Sequence, residues 1–212
     1  MNLQVADLVY PVTALGYGRR FGIWVQGCSI SCEGCMSRDT WDSSAGTPMQ
    51  VEEVLDVLHR IEDLVDGITV SGGEPFQQAD AVEELMAALH AWRKGLGPGT
   101  DFLAFSGYSE THLRRTHPEL VGMFDLVIAG PFRKARPSQR PLCGSDNQVV
   151  MEITSLGSER YQSLDRQRRI QVSVSDGSLH LIGIPGSGDL VRLETALEQK
   201  QGVFLEDASW RT

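Results

Sequence analysis

Three cysteines, Cys28, Cys32 and Cys35, lie within a stretch of eight residues that follows a short apolar segment. Thiolates this close together in a loop can bind one metal centre. A structural zinc site usually has four ligands, in two pairs about a dozen or more residues apart. The fourth cysteine, Cys143, is more than a hundred residues away. The spacing therefore favours a centre with three protein ligands and one open position, and the alternative is a zinc knob or three unrelated cysteines.

A second candidate motif, Gly72-Gly73-Glu74-Pro75, follows the apolar run 67–71. Two glycines allow the backbone to approach a ligand closely, and a carboxylate can accept a charge-assisted hydrogen bond from an ammonium group. The same four residues at the end of a strand are also typical of a simple turn. The cysteine triad some forty residues earlier favours the binding interpretation.

Other polar groups are less specific. Ser106, in Phe105-Ser106-Gly107-Tyr108, either faces the polar groups of a ligand or makes an ordinary turn hydrogen bond. Cys143 could be a fourth cluster ligand, although a buried spare thiol is the favoured interpretation. The five histidines have no ligand spacing and are expected to be surface or core residues.

Alternating apolar runs and periodic segments predict the elements that position these residues. Thr47-Pro48-Met49-Gln50 resembles a capping box with proline at N1 that opens the first helix. Asp176-Gly177 favours the tight turn of a C-terminal hairpin. Strands are predicted at 21–26, 67–71, 101–105, 125–129 and 148–153, and helices at 51–64, 80–93, 109–116 and 188–199. Strands that alternate with helices indicate an α/β fold with a parallel sheet.

The segment 131–146 is rich in proline and basic residues, and a long mobile loop is predicted there. Its cations are Arg133, Lys134, Arg136 and Arg140. Such a stretch is either a solvated loop or a lid that meets a partner protein.

Composition limits the class of protein. A chain of 212 residues predicts one domain, with a core at about 15–150 and an extension at about 151–212, and is short for a complete eight-fold barrel of about 250 residues. Its net charge of −9 makes bulk attraction to nucleic acid or anionic lipid unlikely. No apolar run approaches about 18 residues, and no basic region precedes an apolar one at the start, so we expect a cytoplasmic protein with reduced thiols.

The sequence CSISCEGC at 28–35 has the CxxxCxxC pattern of the radical S-adenosylmethionine enzymes. Its flanks, GRRFGIWVQGC and CMSRDTWD, resemble the small activating enzymes of anaerobic ribonucleotide reductase and other glycyl-radical activases. The resemblance covers roughly residues 15–150. It implies that Cys28, Cys32 and Cys35 hold a [4Fe-4S] cluster whose fourth iron binds the amino and carboxylate groups of S-adenosylmethionine. The reduced cluster then cleaves this cofactor to a 5′-deoxyadenosyl radical, which abstracts a hydrogen atom.

The resemblance also implies a set of cofactor-binding residues. Glu74 corresponds to the family motif that binds the methionine amino group. Met36 takes the place of an aromatic residue near the adenine, and Gly144–Gln148 resembles a GSSNQ segment of the reductase activators. The segment 125–132 resembles the family's DVLVDGPF, with Ala129 in place of the second aspartate. The expected cofactor-binding residues are Gly34, Met36, Gly72, Gly73, Glu74, Ser106 and Gly130.

The implied fold is a shortened, open (βα)6-type partial TIM barrel with a C-terminal β-hairpin and helix. The implied activity is hydrogen abstraction from a glycine of a partner enzyme, with an electron donor such as flavodoxin or ferredoxin and without nucleic acid or membrane. One alternative is radical modification of a peptide or of a small molecule such as a deazapurine. Another, from a different class, is a non-catalytic iron–sulfur or zinc protein.

Overall fold

A computed structural model describes residues 1–96, 99–164, 170–175, 178–186 and 188–201. The strands are β1 (Asn2–Val12), β2 (Arg20–Val25), β3 (Thr47–Gln50), β4 (Gly67–Gly72), β5 (Asp101–Ser106), β6 (Leu126–Ala129), β7 (Val149–Glu152), β8 (Ile170–Ser175) and β9 (Ser178–Gly183). The helices are α1 (Val51–His59), α2 (Ala79–Leu96), α3 (Glu110–Thr116), α4 (Pro118–Gly122), α5 (Ser155–Gln162) and α6 (Asp189–Gln201).

The main sheet has seven strands in the order β3-β1-β2-β4-β5-β6-β7. Its centre, β2-β4-β5-β6, is parallel, whereas β1, β3 and β7 pair in the antiparallel direction. The predicted α/β class with a parallel sheet is confirmed, and the sheet is open because it ends at β3 and β7. In the described part of the chain only four strands are mutually parallel, so six βα units are not found.

The parallel strands follow one another in chain order, and the connecting helices lie on one face of the sheet. Side chains from α1, α2, α3 and α4 share a single hydrophobic core with alternate residues of the strands, such as Ile68, Phe102 and Val127. The opposite face carries Leu103 and Ile128, which pack with a smaller apolar cluster.

The segment Thr47–Gln50 differs from the prediction. It forms strand β3, which pairs with Asn2–Val5 of β1, whereas the helix begins at Val51 as predicted. Gln50 is the N-cap, and Glu53 completes the capping box by accepting a hydrogen bond from the Gln50 N–H at 2.7 Å. The helix ends at His59, and 62–64 forms a separate 3₁₀ turn. Backbone pairing with β1 therefore outweighs the pattern Thr47-Pro48, which by itself predicts the first residues of a helix.

The segment 131–146 contains no helix or strand but is tied to itself. Asp146 N donates to Arg136 O at 2.8 Å, and Pro137 and Ser145 form a β-bridge. Ser145 is fully buried, and its hydroxyl accepts a hydrogen bond from Arg133 N at 3.1 Å. The segment is thus a loop, as predicted, with hydrogen bonds between its own residues, and its mobility stays a prediction.

The C-terminal residues form the predicted hairpin, β8 and β9, and the predicted helix, α6. The Asp176-Gly177 turn lies outside the described residues. In the described part of the chain, no helix combines the length and apolar character needed to cross a membrane.

A buried ion pair joins the amino ends of the parallel strands. Arg20 of β2 is fully buried and donates to both carboxylate oxygens of Asp101 of β5, at 2.9 and 2.8 Å. Its remaining N–H groups donate to Thr69 Oγ1 at 2.6 Å and to Ile68 O at 2.7 Å on β4. One side chain of β2 therefore bonds to two further strands, β4 and β5.

Replacing Asp101 with asparagine removes the charge that compensates this guanidinium. We expect Asp101→Asn to lower the free energy of unfolding by about 3–5 kcal/mol, the usual cost of breaking a buried pair. Denaturant titration followed by circular dichroism measures the loss. The control Arg19→Gln breaks only the exposed pair with Asp66 and should cost less than about 1 kcal/mol. An equally small loss in Asp101→Asn would contradict the proposed role of the pair.

Candidate metal and cofactor site

The cysteine loop begins where β2 ends and is closed at its base by hydrogen bonds. Gly27 N donates to Thr40 O at 2.7 Å, and Cys28 N donates to Trp41 O at 3.0 Å. The Gln26 side chain, in turn, donates to the backbone carbonyl groups of Asp39 and Asp42 at 3.0 and 2.8 Å. The loop that carries the cysteines is thus held at both ends of its span.

All three cysteines line one cavity of about 500 Å³ at the carboxyl ends of the parallel strands. Their side chains are half-buried, and burial raises the pKa of the Cys32 and Cys35 thiols. Among the described residues, no three Cys, His, Asp or Glu side chains converge tightly enough to hold a single metal ion. A cluster needs wider spacing, because its thiolates bind different irons. Three thiols that line one cavity are a donor set suited to a cluster with three protein ligands.

Several N–H groups point at the cysteine sulfurs. The Phe132 backbone donates to Cys32, while the Ser37 backbone and the Trp41 side chain donate to Cys35. Hydrogen bonds to sulfur lower a thiol pKa and help set the potential of an iron–sulfur centre. Trp41 and Phe132 were not among the predicted site residues, since no local pattern shows that they face Cys35 and Cys32.

The Gly72-Gly73 pair lines the cavity and allows two backbone segments to approach closely. Gly72 has a φ of +96°, and a Cβ on Gly73 would lie 2.3 Å from Gly27 O. Gly73 N donates to Val25 O at 2.7 Å, and Glu74 N donates to Gly27 O at 2.9 Å. The glycines therefore allow the end of β4 to pack against the backbone that leads into the cysteine loop.

Glu74 is buried at the edge of the cavity, with 1% of its surface exposed. One carboxylate oxygen accepts from Ser106 Oγ at 2.8 Å and Phe76 N at 3.1 Å, and the other accepts from Gly107 N at 2.7 Å. Burial nevertheless raises the pKa of Glu74 to about 7, because desolvation of the carboxylate outweighs these three bonds. The group can thus gain or lose a proton near neutral pH.

The other predicted residues reach the same cavity, whose lining includes Gly34, Met36, Ser106 and Gly130. Ser106 also makes the turn bond that was the alternative interpretation, since its Oγ accepts from Tyr108 N at 3.1 Å. The roles of these residues toward a cofactor remain predictions.

The segment Gly144–Gln148 forms one wall of the cavity. The Gln148 side chain accepts from Gly144 N at 2.8 Å and donates to Gly130 O at 3.1 Å. Asn147 donates to Pro131 O at 2.8 Å. These bonds fix the turn that follows β6. The segment Gly144–Gln148 therefore has a structural role, which its sequence motif did not predict.

Cys143 is buried, as the favoured interpretation expected, and lies between two cavities. It lines the cavity that holds the other three cysteines and also a second one of about 390 Å³ near Tyr17 and Arg140. Burial raises the pKa of its thiol. Its position makes a direct test of its role necessary.

Comparison with known proteins adds to this geometry. Residues 14–151 match the family model described as "4Fe-4S single cluster domain". The chain is 30% identical over 150 residues to the anaerobic ribonucleoside-triphosphate reductase-activating protein of Enterobacteria phage T4, covering 70% of this chain and 94% of that protein. It is 31% identical over 148 residues to the pyruvate formate-lyase 1-activating enzyme of Escherichia coli K12, covering 66% and 56%.

One solved structure, QueE from Escherichia coli, superimposes with a TM-score of 0.40 and 16% identity, covering 51% of this chain and 54% of that one. This partial overlap does not define the fold.

The cysteines give a direct prediction. We expect anaerobic reconstitution with iron and sulfide to load about four irons per chain, and we expect Cys28→Ala, Cys32→Ala and Cys35→Ala each to abolish loading. Cys143→Ala is the matched control and should keep the full iron content. Iron and sulfide assays with the visible absorption spectrum measure this. Loss of the cluster in Cys143→Ala would make Cys143 a ligand, and one zinc per chain would indicate a zinc site.

Proposed function

The chain belongs to the 4Fe-4S single cluster domain family of radical S-adenosylmethionine activating enzymes, and from this premise we propose that it activates a partner enzyme by abstracting a hydrogen atom from a glycine. Its cofactors are a [4Fe-4S] cluster and S-adenosylmethionine. When bound, these groups would supply one-electron cleavage of a carbon–sulfur bond of S-adenosylmethionine, with methionine and 5′-deoxyadenosine as the products after hydrogen transfer.

The observation that supports this proposal most directly is the shared cavity. Three cysteine thiols and one buried carboxylate come from separate segments of the chain and line the same space. Cys28, Cys32 and Cys35 would hold three irons of the cluster and leave the fourth for a ligand. Loading would release protons from Cys32 and Cys35, because burial raises the pKa of these two thiols in the metal-free protein.

Glu74 would recognise the amino group of S-adenosylmethionine. Its carboxylate oxygens already accept hydrogen bonds from Ser106, Phe76 and Gly107, which fix the plane of the carboxylate before a ligand arrives. A carboxylate oriented in this way needs little reorganisation on binding. The family resemblance and the position of Glu74 in the cysteine cavity support this role.

A protein partner is preferred over a small substrate for two reasons. Curated relatives matched over most of their length are named as activators of another enzyme. The sheet is also open, so a loop from a second protein can approach the carboxyl ends of the strands. An electron donor such as flavodoxin or ferredoxin would reduce the cluster. Radical modification of a peptide or a deazapurine, and a non-catalytic iron–sulfur or zinc protein, are the competing functions.

The reaction distinguishes these functions. The reconstituted protein should convert S-adenosylmethionine to 5′-deoxyadenosine and methionine under dithionite, and a glycyl radical should appear in the partner by electron paramagnetic resonance. A redox-active cluster that leaves S-adenosylmethionine intact would contradict the proposed enzyme. Cofactor cleavage without a partner radical, together with turnover of a peptide or deazapurine, would favour the alternative within the family.

The pKa of Glu74 predicts a pH-dependent affinity. Below pH 7 the Glu74 carboxyl is protonated in the free protein. Only the carboxylate form binds an ammonium group strongly, so Glu74 must release its proton when S-adenosylmethionine binds. We expect S-adenosylmethionine affinity relative to Glu74→Gln to be constant above about pH 7.5 and to fall up to about tenfold per pH unit below pH 6.5. Isothermal titration calorimetry from pH 5.5 to 8.5 measures both affinities.

The measured quantity is the ratio of the two affinities, wild type over Glu74→Gln. The amino group of S-adenosylmethionine titrates in the same way with both proteins, so its effect cancels in this ratio. At pH 8 we expect Glu74→Gln to bind about ten- to a hundred-fold more weakly, because the amino group loses a charged acceptor. Parallel pH profiles for the two proteins would exclude Glu74 from the site.

The basic loop divides into two roles. Lys134 lines the cavity and packs beside Gly34, while Arg140 donates to Asp146 O at 2.9 Å and to Gln148 O at 2.6 Å within the loop. All four cations are exposed, but Arg133 and Arg136 do not line the cavity. We therefore narrow the surface that would dock an acidic partner from the four predicted cations to Arg133 and Arg136.

Neutralising these two arginines tests the docking role. We expect Arg133→Gln/Arg136→Gln to slow glycyl-radical formation in the partner several-fold at low salt and to leave cofactor cleavage without partner unchanged. The matched control Arg19→Gln/Arg60→Gln removes two exposed cations at the amino ends of the strands and should behave like the wild type. Full-rate transfer in the loop variant would show that the loop is only a solvated connection.

A further inference from the structure

One tryptophan contacts both the first and the last cysteine of the triad. The backbone oxygen of Trp41 accepts a hydrogen bond from Cys28 N at 3.0 Å, and its indole N–H donates to the sulfur of Cys35. Trp41 also lines the cavity together with these two cysteines. Unlike the backbone donors Phe132 and Ser37, the indole N–H can be removed by a single substitution.

A guanidinium group lies over the ring of this tryptophan. The Cζ atom of Arg38 is 5.3 Å from the centre of the Trp41 ring. A cation within about 6 Å of an aromatic centre is attracted to the π electrons, and it polarises the ring. Polarised donors make stronger hydrogen bonds. Arg38 therefore strengthens the bond from the indole N–H to Cys35 without having to touch the sulfur itself.

A short 3₁₀ turn holds this stack in place. Arg38 is the first residue of the turn Arg38–Thr40, and Trp41 N donates to Arg38 O at 3.2 Å. Thr40 is buried, and its hydroxyl donates to Ser37 O at 2.7 Å. The two side chains are thus presented by a turn whose backbone is already fixed.

One neighbouring charge acts in the opposite direction. The Asp39 carboxylate raises the pKa of the Cys35 thiol, because it disfavours negative charge on the sulfur. Asp39 is exposed, however, so water and salt screen its charge, whereas Arg38 is half-buried over the ring. The indole N–H, which touches the sulfur, is screened least of the three groups.

The sign of the effect follows from electron counting. An iron–sulfur centre gains one negative charge when it is reduced, so a hydrogen bond to a ligating sulfur stabilises the reduced form more than the oxidised form. A cation that strengthens this hydrogen bond acts in the same direction. Both side chains should therefore make the centre easier to reduce.

We propose that Trp41 and Arg38 raise the reduction potential of the centre bound by the three cysteines. Trp41 acts directly through its hydrogen bond to Cys35, and Arg38 is a positioning residue that acts through the Trp41 ring. The inference rests on the proposed function, because it requires a [4Fe-4S] cluster at the cysteines. It deepens that function by naming the residues that let an electron donor reduce the cluster.

The experiment is a redox titration of the reconstituted full chain without S-adenosylmethionine. Dithionite and mediator dyes set the potential, and electron paramagnetic resonance gives the ratio of reduced to oxidised cluster. Trp41→Phe keeps an aromatic ring beside Arg38 and removes the N–H. We expect this ratio, at a fixed potential, to fall about tenfold in Trp41→Phe, which corresponds to a potential about 59 mV lower.

The Arg38 variants test whether the guanidinium acts through the ring. Arg38→Gln removes the cation, and we expect the ratio to fall about two- to fivefold. Arg38→Lys keeps the charge, so its ratio should lie closer to that of the wild type than the ratio of Arg38→Gln. In a Trp41→Phe background, Arg38→Gln should change the ratio less than about twofold, because the polarised N–H is already absent.

Two matched controls remove the same chemical groups elsewhere. Trp92→Phe removes an indole N–H that donates to Glu62 at 3.0 Å, and Trp92 does not line the cavity. Arg114→Gln removes an exposed arginine of α3 that pairs with Glu110. Both controls should keep the wild-type potential.

Iron and sulfide assays first show which variants carry the cluster. A wild-type potential in loaded Trp41→Phe would overturn the inference, and an equal effect of Arg38→Gln in both backgrounds would overturn the role of Arg38. If Trp41→Phe does not load, the two Arg38 variants decide the result, and an unchanged potential in loaded Arg38→Gln would overturn the inference. A wild type that binds no iron, or one zinc, would instead contradict the proposed function itself.

Discussion

The structure depends on a guanidinium group that is removed from water. Arg20 and Asp101 are fully or almost fully buried, and the pair spans β2, β4 and β5 at their amino ends. Arg20, Gly67 and Asp101 are register partners across these strands, and a Cβ on Gly67 would lie 2.3 Å from the guanidinium. An unpaired charge here would cost several kcal/mol, so any slip in register that separates the partners is strongly disfavoured.

Register fixed at one end of the strands decides what meets at the other end. With Arg20 opposite Gly67, Val25 falls opposite Gly72, and the cysteine loop and the Glu74 turn emerge side by side. Their contact is so close that only glycine fits at position 73. Stability is thus concentrated at the amino ends and chemistry at the carboxyl ends, the division expected for parallel α/β folds.

The cavity itself has two sources. Residues within the family match supply the thiols, the carboxylate and the N–H groups directed at sulfur, while the C-terminal hairpin and the start of α6, which lie beyond that match, complete the lining. The thiols, the carboxylate and the N–H groups must be positioned accurately, because their orientation and hydrogen bonds control the reactivity of a bound cofactor.

The sequence by itself determined the cysteine triad, the Gly72–Glu74 motif, the strands that precede them and the α/β class. These features are local, since they depend on periodicity, spacing and residue type. Tertiary structure decided what local patterns cannot encode: Thr47–Gln50 became a strand because β1 offered it backbone partners, and segment 131–146 gained a hydrogen bond to its own buried Ser145. The desolvation of Glu74 likewise arises between residues far apart in the chain, and the hydrogen bond from Trp41 to Cys35 depends on how the cysteine loop folds back on itself. Such contacts follow from packing and register, which no short stretch of sequence contains.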